Sequence, residues 1–100
     1  MENKEVYYLL YNKNKKGIQN SKNEVIVPAE FDDVKLVEAV NKTFFIVRHR
    51  RFFGVYDESG KLIVPVRFFR VSINNAGNIT VKRSKKVGLY DSAGNVVIPI

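Results

Sequence analysis

The stretch FIVRHRRFFGVYDESGKLIVP (45–65) occurs three times in the chain in similar form. The other two copies have the same length and no gaps: YLLYNKNKKGIQNSKNEVIVP (8–28) and ITVKRSKKVGLYDSAGNVVIP (79–99). In each copy a glycine stands eleven residues before a proline, and the apolar columns between them agree. These repeat markers are Gly17, Gly54 and Gly88 with Pro28, Pro65 and Pro99. Such internal periodicity indicates an array of similar supersecondary units.

Each unit is predicted to form three short β-segments. The first alternates with period two, as Phe45 and Val47 show, and Tyr8 and Leu10 occupy the same inward columns. The third segment, such as LIV (62–64), is apolar at every position, which is typical of a strand covered on both faces. The proline then ends the strand, because it cannot donate a backbone hydrogen bond to a ladder.

The turn between the second and third segments has a signature of its own. DESG (57–60) and DSAG (91–94) place aspartate first and glycine fourth. Aspartate accepts hydrogen bonds from backbone N–H groups ahead of it, and glycine adopts positive φ without steric cost. NSKN (20–23) has asparagine at both positions, which forms the same local bonds and tolerates the left-handed region. The predicted structural turn residues are Asn20, Asn23, Asp57, Gly60, Asp91 and Gly94.

The spacers between the units, 29–44 and 66–78, continue the pattern beyond the proline. AEFDDV follows the first proline and VRFFRV the second, so that Phe31 matches Phe68. Residues 30–40 are the best helical candidate, but this match favours a turn and a short strand at their beginning. We therefore predict an all-β fold of three tandem hairpin or meander repeats in one small, near-symmetric domain. Its core is formed by the inward repeat columns together with these two phenylalanines.

FFGVYDESGKLIVPVRFFRV (52–71), with KVGLYDSAGNVVIP (86–99), resembles the WG (KWG) repeat of bacterial proteins. That repeat shows lysine, an aromatic residue (often tryptophan), glycine and two apolar residues, then Asp/Asn-x-x-Gly and a β-run ending in proline. The chain has no tryptophan, and the residue before the glycine is Lys16, Phe53 or Val87. The resemblance implies an array of β-hairpin repeats with a binding or interaction role, and it supplies no catalytic residues.

Composition narrows the classes of function. The 100 residues, 45% hydrophobic and 27% charged, are typical of a single globular domain over 1–100. The absence of cysteine excludes disulfides, a thiol nucleophile and cysteine-ligated metals, and a single histidine excludes a multi-histidine site. We expect no metal and no cofactor. There is no apolar run near ~18 residues and no secretory signal, so we expect a cytoplasmic protein without a transmembrane segment.

The formal net charge is +7, and ten of the 17 basic residues lie between the first and second segments of the units. They are Lys13, Lys15, Lys16, Arg48, Arg50, Arg51, Lys82, Arg83, Lys85 and Lys86. If the units are related by near-symmetry, these basic turns converge on one rim. One interpretation is an anion-binding rim on which Phe52 stacks against a base. The other is a solvated surface whose charge prevents edge-to-edge aggregation.

Three classes of function stay open. The first, which we expect, is a non-enzymatic interaction module whose partner is a protein or a polymer. The second is a polyanion binder that holds nucleic acid on the basic turns. The third is a small basic ribonuclease using His49, Arg51 and Tyr90, although nothing in their spacing requires it.

The ends of the array raise a further question, because open sheet edges are prone to self-pairing. One hypothesis is that Glu5–Tyr8 pairs near the third unit and closes the array. The alternative is that residues 1–7 form a frayed terminus.

Overall fold

Residues 5–100 are described by a computed structural model, and in this range the chain forms β-strands and no helix. The strands are β1 (Tyr7–Asn12), β2 (Lys15–Asn20), β3 (Val25–Phe31), β4 (Asp33–Ala39), β5 (Lys42–His49), β6 (Phe52–Asp57), β7 (Leu62–Phe68), β8 (Arg70–Ile73), β9 (Ile79–Arg83), β10 (Lys86–Tyr90) and β11 (Val96–Ile98). They form three antiparallel meanders: the first sheet is β1–β3, the second β4–β7 and the third β8–β11. The all-β prediction is confirmed.

The spacers supply strands as well as connections. β4 and β8 each pair with the first strand of the unit that follows, with Val34 opposite Val47 and Val71 opposite Val81. The helical candidate 30–40 is therefore extended, as its match with the second spacer indicates. The second and third sheets have four strands and the first has three, because no residue in 5–100 pairs with the outer edge of β1.

The repeated glycine is explained by a bulge in the neighbouring strand. The register between β2 and β3 shifts where Gly17 faces the residues after Pro28. A Cβ on Gly17 would overlap the carbonyl oxygen of Val27, so the strands approach this closely only because the side chain is absent. β6 and β7 show the same shift, and a Cβ on Gly54 would lie 2.7 Å from the carbonyl oxygen of Val64.

Two hydrophobic clusters hold the sheets face to face. The cluster between the first and second sheets contains Ile18, Ile26, Val27, Phe31, Phe45 and Val47. The cluster between the second and third contains Ala39, Phe44, Val55, Ile63, Val64, Phe68, Ile79, Val81 and Tyr90. The consecutive Phe44 and Phe45 belong to different clusters, since successive strand residues point to opposite faces. The second sheet is thus covered on both sides, and the predicted core residues Phe31 and Phe68 are buried.

Two predictions about burial are wrong at the ends of the structure. Tyr8 matches the fully buried Phe45 in the repeat, yet it is exposed, because nothing within residues 5–100 covers that face of the first sheet. The third segment is buried at consecutive positions in β3 and β7, but all of Val96–Ile98 is exposed. Burial does not alternate along β1, and every residue of β11 is exposed, because no further sheet within residues 5–100 packs against the outer face of β1 or against β11.

The hypothesis of a closed array is also wrong. Among the described strands, β1 pairs only with β2. Glu5 does not reach the third unit: its carboxylate accepts hydrogen bonds from the backbone N–H and the hydroxyl of Ser21, at 3.4 and 3.2 Å. Of the segment 1–7, residues 1–4 lie outside the described range.

Candidate anion-binding site

The Asp/Asn-x-x-Gly turns share one hydrogen-bonding pattern. The Asp57 carboxylate accepts bonds from the backbone N–H groups of Ser59 and Lys61, at 2.9 and 3.0 Å. Asn20 and Asp91 accept the equivalent bonds in their own turns, and so does Asn74 between β8 and β9. The fourth residues have positive φ: Asn23 64°, Gly60 92°, Gly94 91° and Gly77 82°. Bonds from the backbone and side chain of Asn95 lower the pKa of Asp91, so this carboxylate has a structural role.

Two residues of the spacers link the three basic turns: the first links the first turn to the second, and the other links the second turn to the third. Asp32, between β3 and β4, accepts hydrogen bonds from Lys15 Nζ in the first turn and the backbone N–H of Arg50 in the second, both at 2.6 Å. Phe69, between β7 and β8, stacks on Phe52 with ring centroids 5.5 Å apart. The Phe69 N–H also donates to the carbonyl oxygen of Lys82, at 2.9 Å.

The ten residues of the basic turns differ in whether a carboxylate pairs with them. In the first turn, Lys15 forms an ion pair with Asp32 at 2.6 Å, and Lys16 lies 3.7 Å from Asp33. In the second, the Arg48 guanidinium donates to the carbonyl oxygen of Arg50 at 2.7 Å. In the third, no ion pair forms to any part of the chain that the structure describes. The exposed members of the set are Lys13, Arg50, Arg51, Lys82, Arg83, Lys85 and Lys86.

A cleft of about 340 Å³ opens between the second and third sheets beside these turns. Its lining consists of Asp33, Lys35, Ile46, Arg48, Phe53, Phe69, Arg70 and Val71. Three cations and one carboxylate give this lining a net charge of +2, and the apolar side chains supply contact surface for a ligand. The volume falls in the usual range of ligand pockets, roughly 300–1,000 Å³.

The repeat alignment shows how this cleft differs from its counterpart between the first and second sheets. At the first junction Asp32 pairs with Lys15; at the second, Phe69 and Phe52 occupy the matched positions and stack. Arg70 likewise stands where the first junction has a second aspartate. At the first junction Asp32 and Asp33 each pair with a lysine, whereas the matched positions of the second junction carry Phe69 and Arg70 and so supply an aromatic ring and a cation in place of two carboxylates.

Sequence reasoning singled out Arg48 in this lining and missed Lys35, Phe69 and Arg70. Phe53, the residue before the second glycine marker, is only partly buried and lines the cleft. The signal that could have found these residues is the change from Asp-Asp to Phe-Arg at matched spacer positions.

The residues considered for a ribonuclease are placed in different surroundings. His49 is exposed at the end of β5, and the Arg51 guanidinium lies 5.7 Å from the ring centroid of Phe52. Tyr90 is buried with its ring edge-on to Phe68, at 6.1 Å between centroids. None of the three candidates lines the cleft between the second and third sheets.

The Asp32 bridge predicts a measurable titration. Its hydrogen bonds, first from Lys15 and then from the Arg50 N–H, lower the pKa of Asp32 from 3.8 to about 2. A depressed folded-state pKa contributes stability above the ordinary value, which is lost as the pH falls from about 4 to about 2. Lys15→Met is expected to raise the pKa of Asp32 toward 3.8, measured by NMR titration of the carboxyl carbon. Lys13→Met, in the same turn, should leave it unchanged; an unaltered pKa in Lys15→Met would contradict the ion pair.

The described residues include no group of three or more His, Asp or Glu side chains that could hold a metal ion. Nor does any of them belong to a helix long and apolar enough to cross a membrane.

Three meander sheets packed face to face define the chain as a β-repeat protein. The family model described as the WG containing repeat matches residues 17–38, and the resemblance predicted from the sequence is confirmed. The matched segment begins at the glycine marker in β2 and runs through β3 into β4. No curated protein and no solved structure matches the chain.

Proposed function

We propose that the chain is a non-enzymatic binding module that holds a polyanion in the cleft between the second and third sheets. The observation that carries this proposal is the replacement of a neutralised junction by a basic and aromatic one at matched positions. The lysines of the first junction pair with Asp32 and Asp33, whereas Arg48 and Arg70 at the second form no ion pair within residues 5–100. Asp33 is the one carboxylate in the lining of the cleft, and the charge of Arg48 also acts on Asp32.

The chemistry of the lining suits phosphate groups joined to flat apolar groups. Guanidinium groups such as those of Arg48 and Arg70 can bind phosphate oxygens with two parallel hydrogen bonds. Lys35 adds a third charge, and the exposed Phe69 offers a surface for base contact. The unpaired basic side chains of the third turn extend the positive surface beyond the cleft.

The same lining supports a binding rather than a catalytic role. General acid–base chemistry needs groups that exchange a proton near neutral pH, and histidine is the most frequent. The cleft contains one carboxylate, Asp33, and no histidine.

The test is binding of a fluorescently labelled single-stranded oligothymidylate, followed by anisotropy over a range of salt. Three phosphate contacts predict that log K falls with log salt with a slope of about −2. Arg48→Glu combined with Arg70→Glu is expected to weaken binding about tenfold or more, because it reverses two of the contacting charges. Inorganic polyphosphate as a competitor separates phosphate contacts from base stacking.

The matched control is Lys22→Glu combined with Lys61→Glu, which makes the same charge change at exposed positions in the Asp/Asn-x-x-Gly turns. It should retain wild-type affinity at moderate salt. Equal losses of affinity in the two double variants would mean that net charge alone attracts the oligonucleotide. If the wild type does not bind it even at low salt, the proposal that the cleft binds a polyanion is rejected.

A further inference from the structure

The sheets of this protein dock on one another by one repeated contact. The turn of the second sheet lies over β3, where a Cβ on Gly60 would be 3.2 Å from the carbonyl oxygen of Ile26. The turn of the third sheet lies over β7, where a Cβ on Gly94 would be 3.0 Å from the carbonyl oxygen of Ile63. Ile26 and Ile63 match in the repeat, so β3 and β7, the last strands of their units, each receive the turn of the following sheet.

β11, the last strand of the third unit, has the same apolar pattern as β3 and β7 but receives no turn. Ile63 in β7 is 5% exposed, whereas the matched Val97 in β11 is 54% exposed. Val64 and its match Ile98 differ in the same way, at 0% and 53%. An exposed strand of consecutive large apolar side chains is unusual on the surface of a soluble protein, and it points to a contact site.

The complementary half of this contact lies at the opposite end of the structure. In the second sheet, Phe45 and Val47 face β3 and bury its side chains; Tyr8 and Leu10 match them in the first sheet. Tyr8 is 50% exposed. The turn ending in Asn23 matches the two docking turns and has the same hydrogen bonds, and its residues 21–23 are exposed.

We propose that β11 of one chain binds the first sheet of a second copy, head to tail. The two surfaces would meet as the sheets do at the two internal junctions. Both halves of the interface are present in one chain, at opposite ends, and each internal junction shows how they fit. A contact between two different surfaces is heterologous, so it builds a ring or an open filament rather than a two-fold dimer. The contact combines the apolar side chains of β11, Tyr8 and Leu10 with the turn ending in Asn23, and it does not depend on the cleft.

Cysteine cross-linking tests the geometry, because the chain has no cysteine of its own. At the internal junction a Cβ on Gly60 lies 3.7 Å from the Cα of Ile26, which is close enough for a disulfide at the matched positions. Mixing Asn23→Cys with Val97→Cys under mild oxidation is expected to give the mixed disulfide dimer as the main product. Leu36→Cys, an exposed position in β4, replaces Val97→Cys as the matched control.

Equal yields with the control would overturn the proposal. A disulfide within one chain of the double variant Asn23→Cys/Val97→Cys would show that a single chain closes on itself, and would overturn it as well.

Sedimentation velocity tests the association without cross-linking. The wild-type sedimentation coefficient is expected to rise with concentration and to change little with salt, because the association is driven by burial of the apolar side chains of β11. Val97→Asp should sediment as a monomer, while Leu36→Asp should behave as the wild type, with circular dichroism confirming the fold of both. A wild type that stays monomeric at every concentration, or association that persists in Val97→Asp, would contradict the proposal that β11 binds a second copy.

Discussion

Phe45→Ala is expected to lower the free energy of unfolding by about 4 kcal/mol, the typical loss for a fully buried phenylalanine. Phe45 lies between the first and second sheets with no exposed surface, and its ring is edge-on to Tyr7 at 5.0 Å between centroids. Truncation removes apolar contacts from both sheets and leaves a cavity that two paired β-sheets cannot easily close. Urea unfolding followed by circular dichroism measures the loss.

The control for this prediction is the same repeat column in another environment. Tyr8 matches Phe45 but is exposed, so Tyr8→Ala should cost less than about 1 kcal/mol when measured at a concentration where the chain is monomeric. Similar losses at both positions would mean that the first sheet is covered in solution by something that the described residues do not supply.

Gly17→Ala should destabilise the fold by about 3 kcal/mol, because the added methyl group meets backbone and not a movable side chain. A Cβ at this position would overlap the Val27 carbonyl oxygen and lie 2.7 Å from the backbone nitrogen of Ala29. Relief requires the bulge of β3 to move away from β2, which breaks ladder hydrogen bonds. Thermal and urea unfolding report the change.

Gly88→Ala is the matched control in the third unit. There the closest atom to the added Cβ would be Ile100 Cγ1 at 2.8 Å, and this exposed side chain can rotate away. The remaining backbone contact is the Ile98 carbonyl oxygen at 3.0 Å. We expect a loss of about 1 kcal/mol, and a loss as large as that of Gly17→Ala would contradict the explanation from backbone overlap.

The repeat and its turns were predictable because their causes are local. Asp57 and Gly60 define a turn through bonds and backbone angles within five residues, and those bonds are present. The glycine-to-proline spacing was visible as a pattern, but its cause was not. That cause is the passage of the bulge after Pro28 over Gly17, which depends on how two strands pair.

The binding site was predicted less well than the fold. Composition and repeat position identified the basic turns, with Arg48 among them, because charge can be read from residue type. The neutralisation of Lys15 by Asp32 and the stacking of Phe69 on Phe52 join residues 17 apart in the chain. Such contacts arise only once the sheets are packed.

The amino-acid pattern alone was enough to define the β-segments, the turns and the apolar columns, since each follows from the preferences of neighbouring residues. The pattern does not predict that residues in the same repeat column differ in burial. Phe45 and Ile63 are buried, whereas the matched Tyr8 and Val97 are exposed. Whether a strand residue is buried depends on whether another sheet packs against it, and the sequence of the strand itself does not determine that. The packing of three sheets, with one covered on both faces and two covered on one, supplied that information.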